Sequence, residues 1–183
     1  MGKRSGSLSL EALIILTLII LTVSIGHIQI QKAKSITQVN DAKILIADVF
    51  KKYAVLSLDR RIIHKIAFDY GGKFLDVFDS DDEKKEHLDL PKDIRYASVY
   101  GGVVPPTITA KITEDGNITP IFTIYIFDRG DLARYRISLY GFDTLKHLRI
   151  YIYKNKGDQT AKYGDIVNFH SKFSEGSKLW ERE

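Results

Sequence analysis

The first third of the chain begins with a long apolar stretch. Between Glu11 and Lys32 lie 20 residues, 12–31, without a formal charge. At about 1.5 Å per residue, a helix of this length spans about 30 Å, which matches the hydrocarbon core of a bilayer. The pattern therefore predicts a transmembrane helix over about residues 12–31.

The segment that follows alternates apolar and polar positions with a helical period. Apolar residues recur at steps of three and four, while most charged residues fall on the other side. Apart from Gly26, no glycine or proline separates this segment from the apolar run. We therefore predict one helix over residues 7–57, apolar all round in its first half and amphipathic in its second. The apolar stripe of the second half comprises Ile36, Val39, Ile46, Val49, Phe50 and Tyr53.

The remaining chain, residues 58–183, is predicted to be an extracellular, β-rich head domain. All four prolines lie at position 91 or later, and β-branched and aromatic runs alternate with turn residues. The turn at 114–117 predicts a hairpin. Residues 59–68 are interpreted as a helical extension or a second short helix, and 79–86 as a charged loop. Predicted strands cover residues 73–78, 94–100, 107–113, 118–127, 134–140 and 147–153.

These elements define an α+β fold class. Successive strands without intervening helices favour an antiparallel sheet or a β-sandwich. The long N-terminal helix, transmembrane and then amphipathic, is predicted to pack on that sheet or sandwich through its apolar stripe.

Composition removes several kinds of function. The formal charge of +4 is spread along the chain, and there is no cysteine, which excludes disulfides, thiolate metal sites and a thiol nucleophile. The five histidines lack metal-binding spacing, and no common catalytic motif occurs. The charged segment 79–86 lacks the glycine and the closing glutamate of an EF-hand loop. We therefore predict no enzyme activity, no cofactor and no metal site.

The flanking charges predict how the chain is oriented in a membrane. Lys3 and Arg4 precede the apolar run, which places the N-terminus in the cytoplasm and the head outside the cell. A cleaved secretory signal would have a shorter apolar core and a small-x-small site after it, and residues 23–26 fit that pattern poorly. A single-pass anchor that is never cleaved is the other alternative.

Glu11 is the unusual residue of this region. A carboxylate at the edge of the hydrocarbon is costly and is a functional candidate, although an anion in the first turn of a helix is also favoured by the helix dipole. No lysine or arginine follows within 20 residues. A cationic partner becomes available if the chain is cut between Gly6 and Ser7, because the new α-amino group of Ser7 lies four residues before Glu11.

This N-terminus resembles the class III signal peptide of type IV pilin-like proteins. The similarity lies in the short basic leader MGKRSG, the Ser-Leu-Ser-Leu-Glu that follows, and the apolar helix after it. The start is closer to that of archaeal pilins and archaellins than to that of bacterial pilins and pseudopilins. The resemblance covers about the first 30 residues.

The resemblance implies a processing and assembly route. A membrane prepilin peptidase would remove residues 1–6 by cutting between Gly6 and Ser7. The subunit would wait in membrane lipid and then join other pilin subunits, in a homo- or hetero-filament at the cell surface. Glu11, the fifth residue of the mature chain, would neutralise the α-amine of a neighbouring subunit.

Two surface features of the head are further candidates. Asn117-Ile118-Thr119 is an N-glycosylation sequon at a predicted turn. Strand alternation places Arg134 and Arg136 on one side of one strand and Arg149 on one side of the next. If these strands pair, cations and aromatic rings share a surface that could hold a polyanion such as DNA, or that simply faces solvent.

Two other interpretations remain open at this stage. The chain could be a permanently membrane-anchored protein whose head binds an extracellular partner. It could also be a minor or DNA-uptake pilin that binds polyanions through its β domain.

Overall fold

The computed structural model describes residues 5–141, 148–156, 161–171 and 179–183, with side chains from Leu10 onward. The first element, α1, is a single 56-residue helix, Ser5–Arg60. The chain divides into two compact units between Thr37 and Gln38. The first unit is the N-terminal part of α1, and the second is the head, which contains the rest of α1 and all of the strands.

The head contains two five-stranded antiparallel sheets. The strands are β1 His64–Asp69, β2 Phe74–Phe78, β3 Lys84–Asp89, β4 Arg95–Val99, β5 Thr107–Ile112, β6 Ile118–Thr119, β7 Phe122–Phe127, β8 Ala133–Tyr140, β9 Arg149–Asn155 and β10 Trp180–Arg182. Sheet A has the strand order β3-β2-β1-β5-β6, and sheet B has the order β10-β9-β8-β7-β4. A 3-10 turn, Tyr163–Asp165, leads into the short helix α2, Ile166–Ser171.

The main core lies between α1 and both sheets. Helix residues of the predicted apolar stripe, such as Ile46 and Phe50, are fully buried there. Sheet A contributes Phe68 and Leu75, and sheet B contributes Ile137 among others. This arrangement confirms the predicted α+β class with a long helix packed on antiparallel sheet structure, and it shows that the head has two sheets.

A second, smaller core covers the opposite face of sheet B. Tyr125 and Phe127 of β7 project into it, and Ile166 of α2 and Trp180 of β10 close it. Sheet B is therefore buried on both faces, which explains why all six residues of β7 are buried. The alternating burial of β5 shows that sheet A is buried on one face only.

Two predicted elements of the head are wrong. Residues 59–68 do not extend the helix, because α1 ends at Arg60 and strand β1 begins at His64. The charged segment 79–86 is not a loop throughout, because its last residues open β3. Strand β3 is an edge strand with exposed lysines, so it lacks the apolar alternation that identifies a strand in sequence.

The other strand predictions hold with small changes, although residue 147 of the predicted strand 147–153 lies outside the described residues. The hairpin at 114–117 is confirmed, since Ile112 pairs with Ile118 across it. Its turn is closed by the Gly116 N–H, which donates to the Thr113 carbonyl at 2.8 Å. The predicted strand 118–127 is divided into β6 and β7 around Pro120, which has no N–H to donate to a strand ladder.

Candidate functional site

The N-terminal part of α1 exposes an almost continuous apolar surface. By its length and the apolar composition of its N-terminal part, α1 is the one helix in the described part of the chain that could cross a membrane. Leu13, Ile20 and Val23, for example, are all at least half exposed. A helix that is apolar all round is stable in a lipid bilayer or when other helices surround it. This segment is the first component of the candidate assembly site.

The polar side chains within the apolar run are satisfied inside the helix itself. Thr17, Thr22 and Ser24 each donate a hydrogen bond to the carbonyl oxygen four residues earlier, at 2.7–2.8 Å. These are the bonds expected of helical hydroxyls that must avoid exposing a donor to hydrocarbon. The three residues therefore do not prevent this segment from entering a bilayer.

Glu11 lies in α1, just before the apolar run, and its side chain is exposed. The helix backbone also includes Gly6 and Ser7. Since four residues of helix rise by about 6 Å, the Ser7 nitrogen lies about one turn before Glu11. No cation of the described residues forms an ion pair with Glu11. Cleavage between Gly6 and Ser7 and a role for Glu11 in assembly remain predictions.

Within the head, charged and phenolic groups attach α1 to both sheets. Tyr53 donates from its hydroxyl to Glu86 of β3 at 2.7 Å, and the burial of the phenol together with this bond raises its pKa. The Lys52 Nζ lies 2.7 Å from the same carboxylate. On sheet B, the hydroxyl of Tyr135 donates to Asn40 at 2.9 Å. These contacts fix the helix to the head at points well separated along its length.

A buried histidine lies where the end of α1 meets sheet A. The Nδ1 atom of His64 is 2.7 Å from the Ser57 hydroxyl oxygen, and both residues are almost completely buried. The Tyr53 ring packs edge-on against the imidazole, with centroids 4.9 Å apart. Burial lowers the pKa of His64, and Arg60 and Lys85 act in the same direction against the opposing charge of Asp79. Ser57 is too deeply buried to act as a nucleophile, so this pair is structural.

The lowered pKa of His64 predicts that acid destabilises the head. An unfolded histidine takes up a proton near pH 6.5, whereas folded His64 resists protonation, so stability falls as the pH decreases from 6.5 through the folded-state pKa. Thermal unfolding at pH 7.5 and 5.5 should show a lower Tm at pH 5.5. In His64→Gln the decrease should be smaller, and an unchanged decrease would contradict this assignment. The same two Tm values should be measured for His170→Gln, because burial and Arg136 also lower the pKa of His170.

The three arginines of the predicted polyanion face do not form one open surface. Strands β8 and β9 do pair, with Arg136 opposite Tyr153. Arg136, however, is only 2% exposed, and its guanidinium lies 4.0 Å from the Tyr153 ring centroid and 5.6 Å from that of Trp180. The Nε atom of Arg134 donates to Asp128 at 2.5 Å. Of the three, only Arg149 is well exposed. Polyanion binding through this face stays a prediction, and the arrangement leaves it little exposed positive charge.

Asn117, the predicted glycosylation site, and the charged segment 79–86 both lie at turns of sheet A. Asn117 is half-exposed in the β5–β6 hairpin, where its side-chain oxygen accepts the Ile118 N–H at 2.9 Å. Its glycosylation remains a prediction. In the segment 79–86, Asp79 accepts the N–H groups of Asp81 and Glu83, each at 3.0 Å. Among the described residues, no group of three or more histidines and carboxylates is placed to hold a metal ion.

Several residues that organise the head cannot be recognised from sequence. Ser57 lies in the predicted long helix and His64 in a segment interpreted as its extension or as a second short helix, and neither interpretation predicts their contact across a turn. Glu86 lies in a segment interpreted as loop. Arg136 is buried because Trp180, 44 residues later in the chain, packs near it on sheet B. A local sequence pattern cannot predict a contact between residues so far apart.

Comparisons with known proteins give a limited result. Neither protein-family profiles nor the curated proteins contain a match to this sequence. Two solved structures of the minor pseudopilin EpsH from the type II secretion system of Vibrio cholerae are partly similar in chain trace, each at 16% sequence identity. One has a TM-score of 0.47 and covers 65% of this chain and 98% of its own. The other has a TM-score of 0.42, and its match covers 60% of this chain and 94% of the EpsH chain.

Proposed function

We propose that this chain is a structural subunit of a type IV pilus-like extracellular filament or pseudopilus. One observation carries the proposal: the single helix α1 presents an exposed apolar segment after one carboxylate, Glu11, and then supplies the core of a β-rich head. An apolar segment of this length needs either lipid or other helices around it. A subunit that moves from membrane to filament uses both environments.

The processing route gives the N-terminal residues their roles. The chain inserts with its N-terminus in the cytoplasm and its head outside, and a membrane prepilin peptidase cuts it between Gly6 and Ser7. The new α-amine then pairs with Glu11 of a neighbouring subunit in the filament. Both charges are tolerable in an apolar core only as a pair, because a single buried charge left without its partner is strongly destabilising. The role is structural, and we propose no catalysis and no cofactor.

Gly6→Val tests this route. A β-branched side chain directly before the cut should prevent the peptidase from accepting the chain, so no α-amine forms at Ser7. We expect the variant to keep its full-length mass and to form no filaments by electron microscopy. Ser5→Ala, which leaves the glycine in place, is the matched control and should be processed normally. Normal filaments from Gly6→Val would contradict the proposed route and would favour a permanently anchored protein with an extracellular binding head.

A further inference from the structure

The edges of the two sheets differ in how they are protected against pairing with another chain. The edge strand β3 carries exposed lysines, and β6 has only two residues before Pro120, which has no N–H to donate. Beyond β6, Ile108 and Ala110 of β5 are buried in the main core, so no groove opens beside that edge. Four of the five residues of β4 are buried. The edge of sheet B at β9 differs from these, because β10 covers only part of its length.

The C-terminal strand β10 shows how a strand occupies this edge. It pairs antiparallel with the last three residues of β9, and the Glu183 N–H donates to the Ile152 carbonyl at 3.0 Å. The Glu183 carboxylate lies 2.5 Å from the Lys43 Nζ on α1. The Arg182 guanidinium, by contrast, lies over the Tyr151 ring on the opposite face. Alternate residues of a strand on this edge therefore face the helix, and the residues between them face the outer side of sheet B.

The first half of β9 has free backbone groups on the same edge. Backbone groups of successive residues in an antiparallel strand point alternately to its two edges. Since Ile152 directs its carbonyl toward Glu183, Ile150 directs its N–H and C=O toward the same side. No strand of the described ranges pairs with β9 on that side of Ile150. Free backbone groups at a sheet edge form a template for one further strand.

An apolar groove of about 220 Å³ lies beside these free groups, between α1 and the start of β9. Its apolar lining comprises Ala54, Val55 and Leu58 of α1 together with Leu148 and Ile150. Val55 is 65% exposed and Leu58 is 37% exposed, so the wall formed by the helix is open to solvent. The helix-facing side chains of a strand added at this edge would enter the groove.

The charged residues around the groove are cationic. Arg149 is exposed, and because it alternates with Ile150 its side chain points away from the groove. Arg182 is exposed on the same outer face, 4.2 Å from the Tyr151 ring centroid, and it forms no ion pair with a described residue. Lys51 is the one charged residue among the described residues that line the groove. A residue paired opposite Arg149 therefore has a favourable environment for a carboxylate.

We propose that this edge binds an extended segment of a partner protein, which adds as a strand antiparallel to β9 beyond the end of β10. The segment has an apolar residue opposite Ile150, a carboxylate opposite Arg149 and an apolar residue opposite Leu148. Its apolar side chains fill the groove, and its first apolar residue exchanges both backbone hydrogen bonds with Ile150. In this mode of recognition, backbone bonds supply affinity and alternate side chains supply specificity. The contact goes beyond the proposed function, because it does not depend on filament assembly.

A second copy of this chain does not supply such a segment from the β structure that is described. The order apolar, acidic, apolar occurs there at 68–70, 75–77 and 88–90. The apolar members of all three triplets pack in or against the main core of their own head. They are therefore not available to fill the groove of a neighbour, and the partner is a different chain.

Fluorescence anisotropy of a labelled peptide tests this site on the full-length protein in detergent. The probe is Ser-Val-Glu-Leu-Ser with both ends blocked, and detergent micelles without protein are measured in parallel. We expect saturable binding to the protein only. Ser-Pro-Glu-Leu-Ser is the matched control, because its proline lacks the N–H that would donate to the Ile150 carbonyl. The control peptide should bind about tenfold more weakly or not at all.

Protein variants test the side-chain pattern. Arg149→Glu should weaken binding of Ser-Val-Glu-Leu-Ser about tenfold and should strengthen binding of Ser-Val-Lys-Leu-Ser, because the charge opposite the central residue is reversed. Val55→Asp should weaken binding of both peptides, since it places a charge in the apolar groove. Lys92→Glu is the control, because Lys92 is exposed in the loop before β4, and it should leave both affinities unchanged. Affinities that neither Arg149→Glu nor Val55→Asp changes would overturn the proposed site.

Residue-resolved hydrogen exchange gives an independent readout of the backbone contact. The Ile150 N–H should exchange rapidly in the free protein and slowly when Ser-Val-Glu-Leu-Ser is bound. The Tyr151 N–H, which points toward β8, should exchange slowly in both states. Slow exchange of Ile150 in the free protein would overturn the proposal, because the edge would already be paired. No saturable peptide binding, or equal binding of the valine and proline peptides, would overturn it as well.

Discussion

We expect Glu11→Val to abolish filament assembly while the protein remains in the membrane. Valine extends the apolar run of α1, so membrane insertion should not suffer. The α-amine of each processed neighbour, however, would lose its anion within an apolar helix bundle. Leaving one member of a buried ion pair without its partner costs about 3–5 kcal/mol. The same loss is repeated at every subunit contact of the filament.

The measurement is membrane fractionation together with electron microscopy of sheared filaments. Glu11→Gln keeps the size of the side chain without its charge and should fail in the same way. Thr17→Val, which changes a hydroxyl satisfied within the helix, is the matched control and should assemble. Normal filaments from Glu11→Val, or a protein lost from the membrane fraction, would show that the assigned role of Glu11 is wrong.

Phe50→Ala should cause the largest loss of head stability among single substitutions on α1. Phe50 is fully buried where α1 packs on the two sheets. Its ring packs edge-on against that of Phe122 in β7, with the ring centroids 6.1 Å apart. Removing a buried phenylalanine side chain costs about 3–5 kcal/mol, from both lost burial and the cavity that remains. This is a large part of a total stability of about 5–15 kcal/mol.

Thermal unfolding of the detergent-extracted protein measures this effect. For a head of this size, we expect Tm to fall by about 10 °C or more. Val55→Ala is the matched control on the exposed side of the same helix and should change stability by less than about 0.5 kcal/mol. Equal Tm values for Phe50→Ala and Val55→Ala would contradict the placement of α1 on the sheets.

The sequence pattern predicts α1 well because the helix repeats one period over many turns. The structure buries five of the six residues of its predicted apolar stripe, but the first of the six, Ile36, is 53% exposed. Strand β1 was missed because no glycine or proline separates it from the helix. The assignment of strands to two sheets also lies beyond a local pattern, since β4 pairs with β7 and not with β5, which follows it in the chain.

The residues of the candidate sites also fall into those that a local pattern predicts and those that depend on contacts between distant segments. The apolar run and the position of Glu11 are local features, so they are visible in the sequence. The burial of Arg136 depends on Trp180, and the groove beside Ile150 depends on the packing of α1 next to β9, two segments far apart in the chain. Alternation along β8 correctly placed Arg134 and Arg136 on one face but could not reveal that the C-terminal segment covers part of it.

The most direct test of the account is the intact mass and N-terminal sequence of the membrane-extracted protein, made with and without a prepilin peptidase. We predict a chain that starts at Ser7 only when the peptidase is present. A start at Met1 or Gly2 under both conditions would contradict the account and favour a permanently anchored binding protein. A start after about residue 24 would also contradict it, because that would indicate ordinary secretion and a different meaning for Glu11.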